Sequence, residues 1–235
     1  LAKELFSDLP EIAERVSQDI VALDRVIANR NASQEAQRKW ASEISYTVEV
    51  GLFFRNTLSI SPDGIYWKGE RLPLQDITGV SYGGTQHSVN GTPTGIYTIT
   101  LWRGRAATQI ELRDKLAYTT FIDKLWQAVT GPLIVGILAR LKDGEEIAFG
   151  PVMVRDEGIT LPKHRFFGLG GTQPFKCSWD EIRVWDEDGS FCIKATTDSS
   201  AHASLSYIHT SNAIVLATAI RVGFKKGIRR LSDTL

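Results

Sequence analysis

Two short segments of this chain recur in the same order, and that repetition restricts the fold more than any other feature of the sequence. SISPDGIYW (59–67) corresponds to VRDEGITL (154–161), and LQDITGVSY (74–82) corresponds to SWDEIRVW (178–185). In the first pair an acid–Gly–Ile turn leads into a strand. In the second an acid and an isoleucine enter a strand that carries a valine and an aromatic residue, with Asp180 matched to Asp76. Repeats at this separation mean two copies of one structural unit, not a solenoid.

The flanking patterns give both units the same plan. From Tyr46 the apolar period becomes two, with Val48 and Val50 alternating with polar neighbours. Turn signals at SPDG (61–64), WKGE (67–70), YGGT (82–85) and NGTPTG (90–95) then punctuate about six short strands with no helical crossover, an antiparallel pattern. Asp114 caps a helix with Tyr118, Phe121, Ile122, Leu125, Trp126 and Val129 on one face, and Gly131-Pro132 is expected to end it. After a short apolar helix (133–141) and the turn KDGE, strands resume in EEIAFG, PVMVRDEGITL, FKCSWDEIRVW and SFCIKATT. A closing helix starts near Ser211 or Asn212 and buries Ala213, Ile214, Leu216, Ala217, Ile220 and Phe224.

The opening segment is different. Asp8 as N-cap, Pro10 in the first turn and a stripe of Ile12, Val16, Ile20, Leu23 and Ile27 describe an amphipathic helix. The polar run ANRNAS breaks it, and Ser33 caps a second helix whose inner face holds Ala36, Trp40 and Ile44. The expected class is therefore mainly β with capping helices (α+β). A helical hairpin (1–45) precedes one β-unit (46–131) and then a second (132–235), which carries the short linking helix and a basic tail.

Charge sets a limit on partners. Lys plus Arg and Asp plus Glu each number 27, so no global field favours nucleic acid or an anionic membrane. No run of eighteen apolar residues occurs, and the longest patch, LIVGILARL (133–141), carries Arg140. The chain begins at Leu1 and its only methionine is Met153, which suggests a piece of a longer protein. Cys177 and Cys192 are too few for a disulfide framework. They are expected to be buried thiols in a reducing compartment, although they could face each other across a sheet.

Short antiparallel strands closed by one amphipathic helix resemble pleckstrin-homology-like domains, and the acid–Gly–Ile turns, LPLQDITGV, SWDEIRVW and SNAIVLATAI are most similar to the bacterial PH-like and GRAM-like versions. The resemblance covers about 46–130 and 144–224. It implies two bent antiparallel sheets or barrels, each closed by a C-terminal helix, that serve as a binding or assembly scaffold without chemistry of their own. The basic cluster of lipid-binding PH domains is absent from LSISPDGIYW. In LPKHRFFGLGGT (161–172), Lys163 and Arg165 lack its spacing.

Candidate contact residues fall in two places. Lys163, His164, Arg165, Phe166 and Phe167 combine bases and aromatics in one connecting loop, as partner-binding loops do. GLGGT within it lacks the GxxxxGK[ST] of a phosphate loop, and no helix follows. Arg221, Lys225 and Arg229 are four apart and share a helical face if the helix continues through Gly227. With Lys226 and Arg230 they form a candidate anionic-surface contact, against the plainer reading that they complement a helix dipole.

The acidic stretch SWDEIRVWDEDGS reads as strand entry (Asp180, Glu181) followed by a hairpin connection (Asp186, Glu187, Asp188) ending in Asp188-Gly189. It lacks the distant glutamate and alternating ligands of a calcium loop. His87, His164, His202 and His209 fall in no zinc pattern, and no nucleophile motif is present, so no metal, cofactor or catalytic residue is expected. The favoured function is a non-enzymatic, cytoplasmic interaction or assembly module that binds a protein partner or self-associates. The alternative is a peripheral module on the inner membrane face using the basic tail. Nucleic acid and small-molecule substrates are not expected, and an enzyme with an unrecognised site ranks last.

Overall fold

Gly64 and Gly158, the glycines of the repeated acid–Gly–Ile turn, each lie hard against the carbonyl of a neighbouring strand. The computed structural model describes residues 18, 21–25, 34–51, 55–89, 92–163 and 173–235. A Cβ on Gly64 would sit 2.6 Å from the Leu72 carbonyl oxygen, and one on Gly158 would sit 2.1 Å from that of Cys177. The motif recurs because the same backbone crossing recurs, and only glycine permits it.

Around these crossings the chain is mainly β, in four small antiparallel sheets. Strands β1 (Tyr46–Val50), β2 (Asn56–Ser61), β3 (Gly64–Trp67) and β4 (Glu70–Leu72) form the first sheet in chain order. Strands β5 (Gly79–Val89), β6 (Thr92–Arg103) and β7 (Ala106–Leu112) form the second. The second unit repeats this division. Strands β8 (Ile147–Phe149), β9 (Val152–Arg155), β10 (Gly158–Lys163) and β11 (Gln173–Ser178) make a four-stranded sheet, and β12 (Ile182–Glu187), β13 (Ser190–Ala195) and β14 (His202–Ser206) a three-stranded one. Among the described residues the sheets are open and do not close into barrels.

Two segments read from sequence as single strands are broken. LPLQDITGVSY contains a 3-10 turn at Leu74–Asp76, and FKCSWDEIRVW contains one at Trp179–Glu181. Each turn carries the chain from the four-stranded to the three-stranded sheet. In the second, Glu181 accepts hydrogen bonds from both the backbone N–H (2.9 Å) and the hydroxyl (2.7 Å) of Ser178, closing a capping box. The counterpart of Asp76 is therefore Glu181, not Asp180: each ends its turn and precedes a buried isoleucine, Ile77 or Ile182.

Asp114 caps α2 (Lys115–Leu125) as expected, accepting from the N–H groups of Leu116 and Ala117. Gly131-Pro132 does not end the helix. A π-turn (Trp126–Thr130), in which the Gly131 N–H reaches back to the Trp126 carbonyl, joins α2 to α3 (Gly131–Lys142). The wider turn relieves the clash of a proline ring with the preceding turn, and Gly131 has no Cβ to oppose helical geometry before proline. The continuous helix, Lys115–Lys142, is long and apolar enough to cross a membrane by length and composition, which the expected break at Gly131 had concealed. Its apolar side is nonetheless core: Phe121, Leu125, Ile134, Leu138 and Leu141 are fully buried.

One hydrophobic cluster runs through both units and includes Leu23 and Ile44 from the N-terminal segment. In α1 (Gln34–Ile44) the expected inner face holds, with Ile44 buried and Ala36 and Trp40 half-buried. Asp8, Pro10, Ile12, Val16, Ile20, Ile27 and Ser33 lie outside the described residues.

The two units are also welded at a seam where α4 (Ala213–Lys226) begins. Asn212, left-handed at φ 60°, does not cap its own helix with its side chain. Its backbone N–H donates to the Val80 carbonyl (2.8 Å), its Oδ1 accepts from the Val80 N–H (2.9 Å), and its Nδ2 donates to the Thr78 carbonyl (3.1 Å). The amide thus substitutes for a neighbouring strand along the β5 edge. Beside it, Ser81 donates to the Ile208 carbonyl at 2.8 Å.

Cys177 and Cys192 lie in different sheets, opposite Ile159 and Trp185 respectively, and both are buried free thiols. Burial pushes Cys177 up to about 11 and raises Cys192 as well. Since only the thiolate is reactive, iodoacetamide at pH 8 should modify Cys177 at least about 100-fold more slowly in the folded chain than in urea. Timed alkylation with peptide mass spectrometry measures this. Equal rates in the two states would contradict the burial.

Candidate functional site

The acidic stretch 178–190 divides among three separate local tasks. Glu181 closes the capping box, and the two Ser178 hydrogen bonds, the backbone one first, hold its carboxyl below the usual range. Asp188 (φ 48°) and Gly189 (φ 71°) form the two-residue hairpin turn between β12 and β13. Asp186 accepts from the Tyr207 hydroxyl and from Arg221 Nη2, each at 2.5 Å. The Arg221 guanidinium also lies 5.2 Å from the centre of the Phe191 ring. Burial, chiefly, pushes the Tyr207 phenol well above its ordinary range, so it remains a neutral donor.

The basic cluster is not assembled as one face. Gly227, left-handed at φ 64°, ends α4, and the Ile228 N–H turns back to the Gly223 carbonyl at 3.2 Å. Arg229 and Arg230 therefore leave the line of Arg221 and Lys225. Arg221 is committed to Asp186, Lys226 donates to the Thr234 carbonyl (3.1 Å), and Arg230 bonds Glu157 (2.8 Å). Arg229 and Asp180 line one cleft.

After Gly227, residues 228–235 form a strap fastened to the turn between β9 and β10. Asp156, only 6% exposed, is its anchor. The Asp156 carboxylate accepts from the N–H and the hydroxyl of Ser232, both at 2.8 Å, and its carbonyl accepts from the Leu231 N–H (2.9 Å) and the Trp179 indole (2.7 Å). Leu231 is buried, with Ile228 packed against the same core. Strap and acidic turn together line an open cleft of about 1040 Å³ that includes Trp179, Asp180, Phe224, Arg229, Arg230 and Asp233. Sequence reasoning missed Asp156, because its partner Ser232 is 76 residues away and both residue types are ordinary on a surface.

Of the candidate loop, only Lys163 is among the described residues; His164, Arg165, Phe166 and Phe167 lie outside them. Lys163 Nζ is 2.6 Å from Asp198 Oδ2 and 5.7 Å from the centre of the Phe175 ring, so it braces the base of the loop. Lys163, and then the hydroxyl and N–H of Ser200, hold the Asp198 carboxyl well below the usual range. His202 and His209 are exposed. Among the described residues, no three His, Cys, Asp or Glu side chains converge as metal ligands would.

A further surface feature had not been singled out. Trp185 is 37% exposed on β12, an edge strand. Its indole N–H is held by Glu187 at 3.0 Å. Among the described residues, no strand pairs with the outer side of β12. The chain matches no protein-family model, no curated protein sequence and no solved structure.

Proposed function

We propose that this chain is a non-enzymatic interaction module, built on two PH-like units, that engages a protein partner or a second copy of itself. The observation that carries the reading is the open edge of β12 with Trp185 upon it. An unpaired strand edge offers a row of backbone donors and acceptors to an extended segment, and an exposed tryptophan supplies the apolar anchor that such contacts concentrate upon. The PH-like comparison is supported by the order of elements: a four-stranded sheet, a 3-10 turn, a three-stranded sheet and a helix, twice over.

The membrane reading draws less support. Arg221, Lys226 and Arg230 have intramolecular oxygen partners. Few of the expected bases are left to meet phosphate headgroups.

Trp185→Arg should leave the fold intact, because the side chain is partly solvated, yet weaken partner capture or self-association at least about tenfold. Light scattering across a concentration series and affinity capture from a cell extract, each run with the intact chain and the variant, provide the measurement. A chain that stays monomeric and retains no protein, or a variant that binds as well as the intact chain, would reject the reading. Sedimentation with anionic vesicles separates the membrane alternative.

A further inference from the structure

We propose that Ser232 is a phosphorylation site for an arginine-directed serine/threonine kinase, and that the phosphate controls whether strap 228–235 stays docked. Two independent observations meet at this residue. In sequence, Arg229-Arg230-Leu231-Ser232 places two guanidinium groups just before a hydroxyl, the arrangement that the acidic substrate groove of such a kinase selects. In structure, that hydroxyl is the fastening of the strap: Ser232 is 6% exposed and donates to Asp156 Oδ2 at 2.8 Å.

The chemistry is an ordinary phosphoryl transfer. Ser232 Oγ attacks the γ-phosphorus of a nucleoside triphosphate held by the kinase, an Oγ–P bond forms, and the bond to the bridging β–γ oxygen breaks. A nucleoside diphosphate leaves, and the hydroxyl proton passes to the kinase base and then to solvent.

The product cannot return to the site. The hydroxyl that donated to Asp156 has become a dianion facing that carboxylate, with Glu157 and Asp233 close by, and Arg230, 3.9 Å from Asp156 Oδ2 and already bonded to Glu157, offsets only part of that repulsion. At a residue only 6% exposed, three phosphate oxygens would have to displace the atoms that cover the hydroxyl. On the released strap, Arg229 and Arg230 are free to pair with the phosphate, so modification both disfavours docking and stabilises release. Release withdraws Leu231 and Ile228 from Gly223, where a Cβ would already lie 3.2 Å and 2.8 Å from their side chains. Because the hydroxyl is covered while the strap is docked, the kinase acts only on the opened form, and phosphorylation traps each opening.

The test treats the full chain with a purified arginine-directed kinase and magnesium ATP, and locates phosphate by peptide mass spectrometry. Ser232 should be the labelled residue. Amide exchange over 228–235 should then accelerate at least tenfold. Asp156→Ala, which unfastens the strap, should be labelled at least tenfold faster than the unaltered chain, whereas Arg229→Ala with Arg230→Ala should be labelled at least tenfold more slowly. If Asp156→Ala does not fold, Lys226→Ala, which frees only the Thr234 end, provides the opened form and should also be labelled faster. Absence of phosphate on Ser232 in both the unaltered chain and a folded opened variant overturns the proposal. So does phosphate on Ser232 with exchange over 228–235 unchanged.

Discussion

Gly158→Ala should destabilise the chain by about 3 kcal/mol or more, read as a lowered urea midpoint at constant slope. The new methyl carbon would lie 2.1 Å from the Cys177 carbonyl oxygen and 3.0 Å from its carbon, and both are backbone atoms of a paired strand. No rotamer change relieves that overlap. β10 and β11 must separate, which strains the ladder leading into the capping box of Ser178. Gly64→Ala should cost a similar amount for the same reason, with an unfavourable φ of +145° added. Gly144→Ala is the control: its φ is +86° but a Cβ there meets nothing within 4 Å, so it should cost only about 1–2 kcal/mol. Equal losses at Gly158 and Gly144 would mean that close approach is not why the motif recurs.

Asn212→Ala should cost about 2–4 kcal/mol and raise amide exchange at Val80. The substitution leaves the Val80 N–H and the Thr78 carbonyl without their side-chain partners, and it forces alanine into left-handed backbone at φ 60°. Asn212→Gly divides the two contributions, because glycine accepts that backbone while still losing both side-chain hydrogen bonds. If the alanine variant unfolds at the same urea concentration as the unaltered chain, the seam between units does not depend on this residue.

What could be read from sequence was local in origin. Asp114 as N-cap, the Asp188-Gly189 hairpin and the buried face of α1 all follow from residues within a few positions of one another. The ordered repeat also located matching elements, since the acid–Gly–Ile turn reports a backbone crossing that each unit makes. Errors arose where a distant group outweighed a local signal. Gly131-Pro132 carries a strong stop signal, yet apolar side chains on both sides of it are buried in one core, and a π-turn lets the helix continue. The four-residue spacing of Arg221, Lys225 and Arg229 implied a shared face, but Gly227 turns the chain and Asp186 claims Arg221. Both Asp156–Ser232 and Asn212–Val80 join residues separated by 76 or more positions, and no periodicity encodes such pairs.

The uninterrupted helix has a mechanical consequence. At about 1.5 Å per residue, its 28 residues make a rod roughly 42 Å long, with the first unit's sheets packed on its N-terminal half and α4 and the strap on its C-terminal half. A loop between the units would act as a swivel; a rod fixes their distance and rotation together. Surfaces on the two units are therefore held at one spacing. The compliant point of the rod is Trp126–Thr130, where the regular hydrogen-bond ladder is interrupted and Pro132 contributes no donor. Bending there would have to break the Asn212 bonds to Val80 and Thr78, so rod and seam together hold the two units in one arrangement.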